Sequence, residues 1–123
     1  LYGHAIECRL YAEKPEKNFI PSPGHLKVLR LPRPSDAIRI EASYTEGDTI
    51  TPFYDPMIAK IITFGGDRSH AIQKMLSALE QYQIEEVATN LSLLIAILKD
   101  PAFKEARANT AYLEQNITTL VGL

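Results

Sequence analysis

The order of patterns along this 123-residue sequence predicts an α+β fold, with a small, mainly antiparallel sheet followed by helices. Two observations carry the prediction. Up to residue 64, apolar and polar residues alternate in short runs with the period of two that strands require. From Ser69 onward, apolar residues recur at helical spacing. The two regimes follow one another without regular βαβ alternation, and the length suits one domain spanning residues 1–123.

The elements follow in order. In Ala5 to Ala12, Ile6, Cys8, Leu10 and Ala12 fall on one face of a strand, with Glu7, Arg9 and Tyr11 on the other. "EKPEKNFIPSPG" holds three prolines and a glycine, so a long loop without regular structure is expected there. "HLKVLRLP" resumes alternation as a second strand, placing Leu26 and Val28 opposite Lys27, Leu29 and Leu31. After the turn "RPSD", "AIRIEASY" predicts a third strand, with Ile38, Ile40 and Ala42 opposite Arg39, Glu41 and Ser43. "EGDTITPFYDP" is turn-rich. "MIAKIITF" predicts a fourth strand, ended by "GGD".

Ile72, Met75, Leu76, Leu79 and Tyr82 then mark a helix, capped by Asp67 or Ser69. "ATNLSLLIAILKDP" predicts a second helix, capped by Thr89 or Asn90 and stopped at Asp100–Pro101. It is apolar nearly all round, so it should be wedged between other elements. "NTAYLEQN" suggests a short third helix.

Composition narrows the function classes. A hydrophobic fraction of 46% and a charged fraction of 23% are those of an ordinary soluble protein. A formal net charge of −2 gives no electrostatic footprint for nucleic acid or an anionic membrane. No apolar run approaches the roughly 18 residues that span a bilayer. Cys8 is the one cysteine, so no internal disulfide forms, and a reducing cytoplasm, or a mitochondrial matrix in a eukaryote, is the expected compartment. The start "LYGHAIE" has neither an initiator Met nor a basic leader, so a piece of a longer chain is expected.

Few residues carry chemistry. Arg9 lies mid-strand on the polar face beside Glu7 and Tyr11; it is either a solvated surface pair or a fixed guanidinium facing an anionic ligand. Asp55 precedes a proline at a turn, where a carboxylate either orients a ligand or arginine or bonds the local backbone. Lys60, inside an apolar strand, must snorkel or find a partner. His4, His25 and His70 are scattered without ligand spacing, so no metal site is expected, and Cys8 reads as core. "FGGD" lacks both the spacing and the lysine of a phosphate-binding loop.

Read in order, "GHAIECRLYAEKP", "FIPSPGHL", "YDPMIAKIITFGGDRSHAIQKM" and "TNLSLL" resemble the C-terminal domain of biotin carboxylase, the last part of the ATP-grasp unit of biotin-dependent carboxylases. The resemblance runs from Gly3 to about Glu114. It implies a ligase in two stages. ATP activates bicarbonate as a carboxyphosphate, and the carboxyl group then passes to N1 of biotin. Arg9 matches the arginine of the family's E-C-R motif, which implies a guanidinium aimed at the biotin ring oxygen as negative charge develops there.

The resemblance further implies that Asp55, in Y-D-x-M, holds arginines or loops of the site in place, with Glu7 doing the same for Arg9. Lys60 fits the pattern with no assigned role. "NTAYLE" resembles the family's closing motif, which makes Thr110 an adenine-side contact. Arg39 and Asp36 match the region of a homodimer interface in bacterial relatives, where an aromatic often stands at the position of Asp36. ATP and Mg²⁺ would be bound mainly by ATP-grasp segments upstream of Leu1 in the same chain, and biotin would come on a separate carrier domain or protein. The 123 residues alone are therefore expected to be inactive and to expose an apolar face. Two readings compete with this one: a non-catalytic dimerisation or docking module of similar fold, and a free-standing enzyme of another type.

Overall fold

The computed structural model describes residues 3–33 and 35–104. The elements, in chain order, are β1 (His4–Tyr11), β2 (Glu13–Lys14), a 3-10 turn (Pro15–Lys17), β3 (Ile20–Pro21), β4 (Gly24–His25) and β5 (Val28–Arg30). They continue with β6 (Ile38–Ala42), β7 (Thr49–Ile50), β8 (Met57–Gly65), α1 (Arg68–Gln81), β9 (Gln83–Glu85), α2 (Leu91–Lys99) and α3 (Pro101–Lys104). The fold is α+β, and every strand pairing among the described residues is antiparallel.

The principal sheet has the order β1-β8-β6. Its inner face is built from registered pairs: Ile6 opposite Thr63, Cys8 opposite Ile61 and Leu10 opposite Ala59. Helix α1 covers that face with Ala71, Ile72, Met75, Ala78 and Leu79, all buried. The alternation read in β1 is therefore real: Ile6, Cys8, Leu10 and Ala12 are inside, and Glu7 and Arg9 are outside. Registry is what fixes this, because a slip of one residue would exchange the two sets.

Other expectations need correction. The stretch from Glu13 to Gly24 is not wholly irregular: β2 and β3 pair across it, and Asn18 and Phe19 turn the chain with φ of 56° and 60°. "HLKVLRLP" is not one strand. The Lys27 N–H donates to the His25 carbonyl (2.9 Å), and the chain breaks into β4, paired with β7, and β5, paired with β9. Leu26 and Leu29 are the buried pair as a result, while Leu31 is exposed. Helix α2 is less enclosed than its composition suggests: Leu93 and Leu98 are buried, and Leu94, Ile95 and Ile97 are partly exposed. The segment "NTAYLEQN" lies outside the described residues.

The junction of β8 and α1 is tight. Gly65 ends β8 so close to the first turn of α1 that an added Cβ would press into the Ala71 nitrogen and lie 2.8 Å from the His70 carbonyl carbon. The Thr63 hydroxyl, fully buried, donates to the Ala71 carbonyl across the same gap (2.9 Å). Asp67 is the helix cap, its Oδ1 accepting from the His70 N–H (2.8 Å). At the same end, the Arg68 guanidinium donates to the Phe103 carbonyl and stacks 4.6 Å over the Phe103 ring, tying α1 to α3.

Two outcomes follow. Gly65→Ala is expected to destabilise the fold by about 1–3 kcal/mol, because the obstruction is backbone that cannot rotate away; an unchanged denaturant midpoint would contradict this packing. The hydrogen bond from the His70 N–H, helped by the nearby histidines, holds the Asp67 carboxyl below its usual range. A depressed carboxylate pKa stabilises above the unfolded value and is lost as pH falls through the folded one. The thermal-stability advantage of wild type over Asp67→Ala should therefore persist to about pH 5 and shrink below about pH 4.

Candidate active site

The outer face of the principal sheet carries a line of charge. Arg9 on β1 stands opposite Lys60 on β8, and Lys60 stands opposite Glu41 on β6. Arg9 Nε donates to Glu7 Oε2 (2.9 Å), Lys60 Nζ lies 3.6 Å from Glu41 Oε2, and Arg39 donates to Glu41 Oε1 (3.0 Å). Lys60 has thus found a partner, with 27% of its side chain exposed against 55% for Arg9. The Glu7 hydrogen bond, with a further contribution from Tyr11, holds the Arg9 pKa above its usual value, so its charge is permanent.

The guanidinium is tethered through Nε to Glu7 while more than half of the side chain stays exposed. A planar donor pair held this way suits an oxygen that is anionic or becoming so. The backbone beneath it is held on both edges. One edge of β1 pairs with β8 throughout. On the other edge, Asn90 Oδ1 accepts from the Tyr11 N–H (2.8 Å), Asn90 Nδ2 donates to the Arg9 carbonyl (3.1 Å), and the Asn90 N–H donates to the Tyr11 carbonyl (3.2 Å).

The remaining candidates sit apart from this centre. Asp55 Oδ1 accepts from the Met57 N–H (3.0 Å) and the Asp55 carbonyl accepts from the Tyr44 hydroxyl (2.9 Å), so it shapes the turn that delivers β8 opposite Tyr11. Pro56, its neighbour, accepts from the Ala12 N–H (2.9 Å) and secures the end of β1. Phe53 and Tyr54 in the same loop are 88% and 74% exposed, the most exposed of the large apolar side chains among the described residues. Asp36 lies exposed in the turn before β6, and Arg39 is exposed on that edge strand. Thr110 falls outside the described residues. Among the described residues, no three His, Cys, Asp or Glu converge as metal ligands, and no helix is long and apolar enough to cross a membrane.

Asn90 is the residue whose second role sequence reasoning missed. The sequence predicts Thr89 or Asn90 as the cap of α2: Asn90 holds the N-cap position, but the Thr89 hydroxyl accepts from the Leu91 N–H (3.2 Å), and the Asn90 carboxamide turns to β1. Two cap-type residues side by side, where one suffices, were the only hint.

The family model of the biotin carboxylase C-terminal domain matches residues 7–115. The chain belongs to that family. As a biotin carboxylase C-terminal domain, it is 47% identical over 115 residues, 94% of the chain, to biotin carboxylase 2 of Bacillus subtilis. It is 43% identical over 122 residues, 99% of the chain, to a biotin carboxylase of Halalkalibacterium halodurans. Each match takes up 26% of the relative, so the domain spans about a quarter of the length of these curated enzymes. Among solved structures, the biotin carboxylase domain dimer of Hydrogenobacter thermophilus 2-oxoglutarate carboxylase, in complex with MgADP, ADP and bicarbonate, superposes with a TM-score of 0.91. That match is at 40% identity and covers 98% of this chain and 26% of the other.

Cys8, inside the strand that carries Arg9, is core rather than nucleophile: burial and the Glu7 charge push its thiol up to about 12. A thiol reagent at about pH 8 should leave Cys8 unlabelled in the folded protein and label it fully after denaturation. Rapid labelling of the folded chain would remove Cys8 from the core.

Proposed function

We propose that this domain supplies Arg9 to the carboxyl-transfer site of a biotin carboxylase, within a biotin-dependent carboxylase. The observation that carries the reading is a guanidinium fixed at its backbone and its Nε, yet half exposed on the outer face of the sheet. An exposed Arg–Glu pair contributes only about 0–1 kcal/mol to stability, so its worth lies in orientation. Biotin, delivered on a separate carrier, supplies a ring nitrogen that accepts the carboxyl group and a ring oxygen onto which negative charge spreads. Arg9 offers that oxygen N–H donors and a fixed positive charge, strongest where charge develops, as an oxyanion hole does. Glu7 sets the angle of the fork.

The same reading gives the other residues supporting roles. Asp55 acts through the turn that holds β8 and the end of β1, and Lys60 adds a second positive charge opposite Arg9. Thr110 is proposed as an adenine-side contact. ATP, Mg²⁺ and bicarbonate are proposed to bind mainly on upstream ATP-grasp segments of the same chain, which makes the isolated domain inactive. Arg39 and Asp36, exposed at the β6 edge, are proposed to face a second copy, in keeping with the dimer described for the Hydrogenobacter relative. A docking role without chemistry is favoured by one feature, the exposed Phe53–Tyr54 pair.

The test compares wild type, Arg9→Ala and Arg9→Lys in the full-length carboxylase chain, measuring biotin-dependent ATP cleavage with bicarbonate present. Arg9→Ala should lower turnover by about 10²-fold or more with assembly intact. Arg9→Lys should recover little, because a point charge does not reproduce the planar fork. Turnover unchanged in both, with altered assembly, would move the domain to the docking role.

A further inference from the structure

We infer that Asn90 is a positioning residue for Arg9, acting as a one-residue substitute for a neighbouring strand. The inference rests on the reading of Arg9 given above. Among the described residues, β1 is an edge strand of its sheet, so one row of its backbone groups has no described strand to pair with. At the point where Arg9 leaves the backbone, Asn90 fills that row. Its carboxamide presents an acceptor to the Tyr11 N–H and a donor to the Arg9 carbonyl, the same pair of functions a peptide group presents. Its own N–H adds a third bond, to the Tyr11 carbonyl.

Asn90 is itself buried, 6% exposed, and anchored from behind. The Leu94 N–H donates to the Asn90 carbonyl (3.0 Å), making Asn90 the first carbonyl of α2, and Leu93 and Leu98 root that helix in the protein. With the Thr89 hydroxyl serving the Leu91 N–H, the Asn90 side chain is left for β1. The helix start thus grips the strand two bonds from the Arg9 Cα. The β1–β8 pairing is also irregular here: Leu10 faces Ala59 and Tyr11 faces Met57, so β8 carries one extra residue, Ile58, opposite this point of β1. Where the partner strand bulges, the ladder is locally disrupted, so β1 depends on its other edge to keep one conformation, and the direction of the Arg9 side chain follows from it.

The chemistry of the amide is specific. Aspartate has the same shape, keeps the acceptor and loses the donor, setting a carboxylate oxygen against the Arg9 carbonyl. A displacement of about 1 Å at a group that stabilises charge costs up to about 10²-fold in rate. In the full-length chain, Asn90→Asp should lower kcat for biotin carboxylation by about 10- to 100-fold and leave KM for MgATP within about twofold. Combined with Arg9→Ala, it should add less than about a further threefold loss, because the effect runs through Arg9.

Parallel loss of kcat and MgATP affinity, or a full additional loss on top of Arg9→Ala, would make Asn90 merely structural and overturn the inference. Wild-type kcat in Asn90→Asp, with Arg9→Ala still impaired, would overturn it while leaving Arg9 in its role. Wild-type kcat in Arg9→Ala would instead overturn the reading of Arg9 on which the inference stands. If Asn90→Asp does not fold, Asn90→Ser, which keeps one hydroxyl near the strand, carries the same comparison.

Discussion

The pairing of β1 with β8 is the constraint on which the rest depends. It runs the length of β1 and sorts each strand into an inner apolar set and an outer polar set. The inner set meets α1, and the β8–α1 junction at Gly65, Thr63 and Ala71 leaves no room for α1 to shift along the sheet. Once register and helix are locked, the outer face is determined. Arg9, Lys60 and Glu41 must then lie in one line across three strands.

The two faces of this sheet do different work. Burial of Ile6, Leu10, Ile61, Met75 and Leu79 supplies the stability, at about 1.5–3 kcal/mol for each fully buried large side chain. The outer ion pairs are solvated, and pairs of that kind rarely exceed about 1 kcal/mol. A protein gains little stability by arranging five charged side chains there. What the arrangement does give is direction: Glu7 orients Arg9, and Glu41 pairs with both Lys60 and Arg39.

Much of this was legible in the sequence because local pattern and tertiary environment agree. Ile6, Cys8, Leu10 and Ala12 alternate in the sequence and are buried in the fold, since one face of β1 meets the helix and the other does not. Asp67 reads as a cap and is one, since capping is decided within a few residues. The four motifs carried the family, and the family model spans the same region. What failed was decided at long range. Lys27 breaks a run that alternates well, because β4 and β5 pair with β7 and β9, which lie far apart in sequence. Nothing within five residues of Lys27 encodes those partners. The second role of Asn90 went unseen for the same reason: it holds the N-cap position as expected, but its carboxamide bonds residues about eighty positions away, and cap statistics describe only its neighbours.

The role proposed for Arg9 gives its placement on a strand rather than a loop a physical rationale. A guanidinium that stabilises charge must not reorganise when the charge appears, since reorganisation would consume the energy the interaction supplies. Loops are positioned by few bonds and move cheaply; a strand residue inherits the rigidity of its sheet. Among the described residues β1 is an edge strand, however, and an edge strand is held by a neighbour on one side alone. Completing the sheet with another strand would cover more of β1 and bring further side chains beside Arg9. A single asparagine at a helix start meets the backbone requirement while occupying little of the outer face. In this fold the edge is closed where the arginine sits, and the face above it stays open.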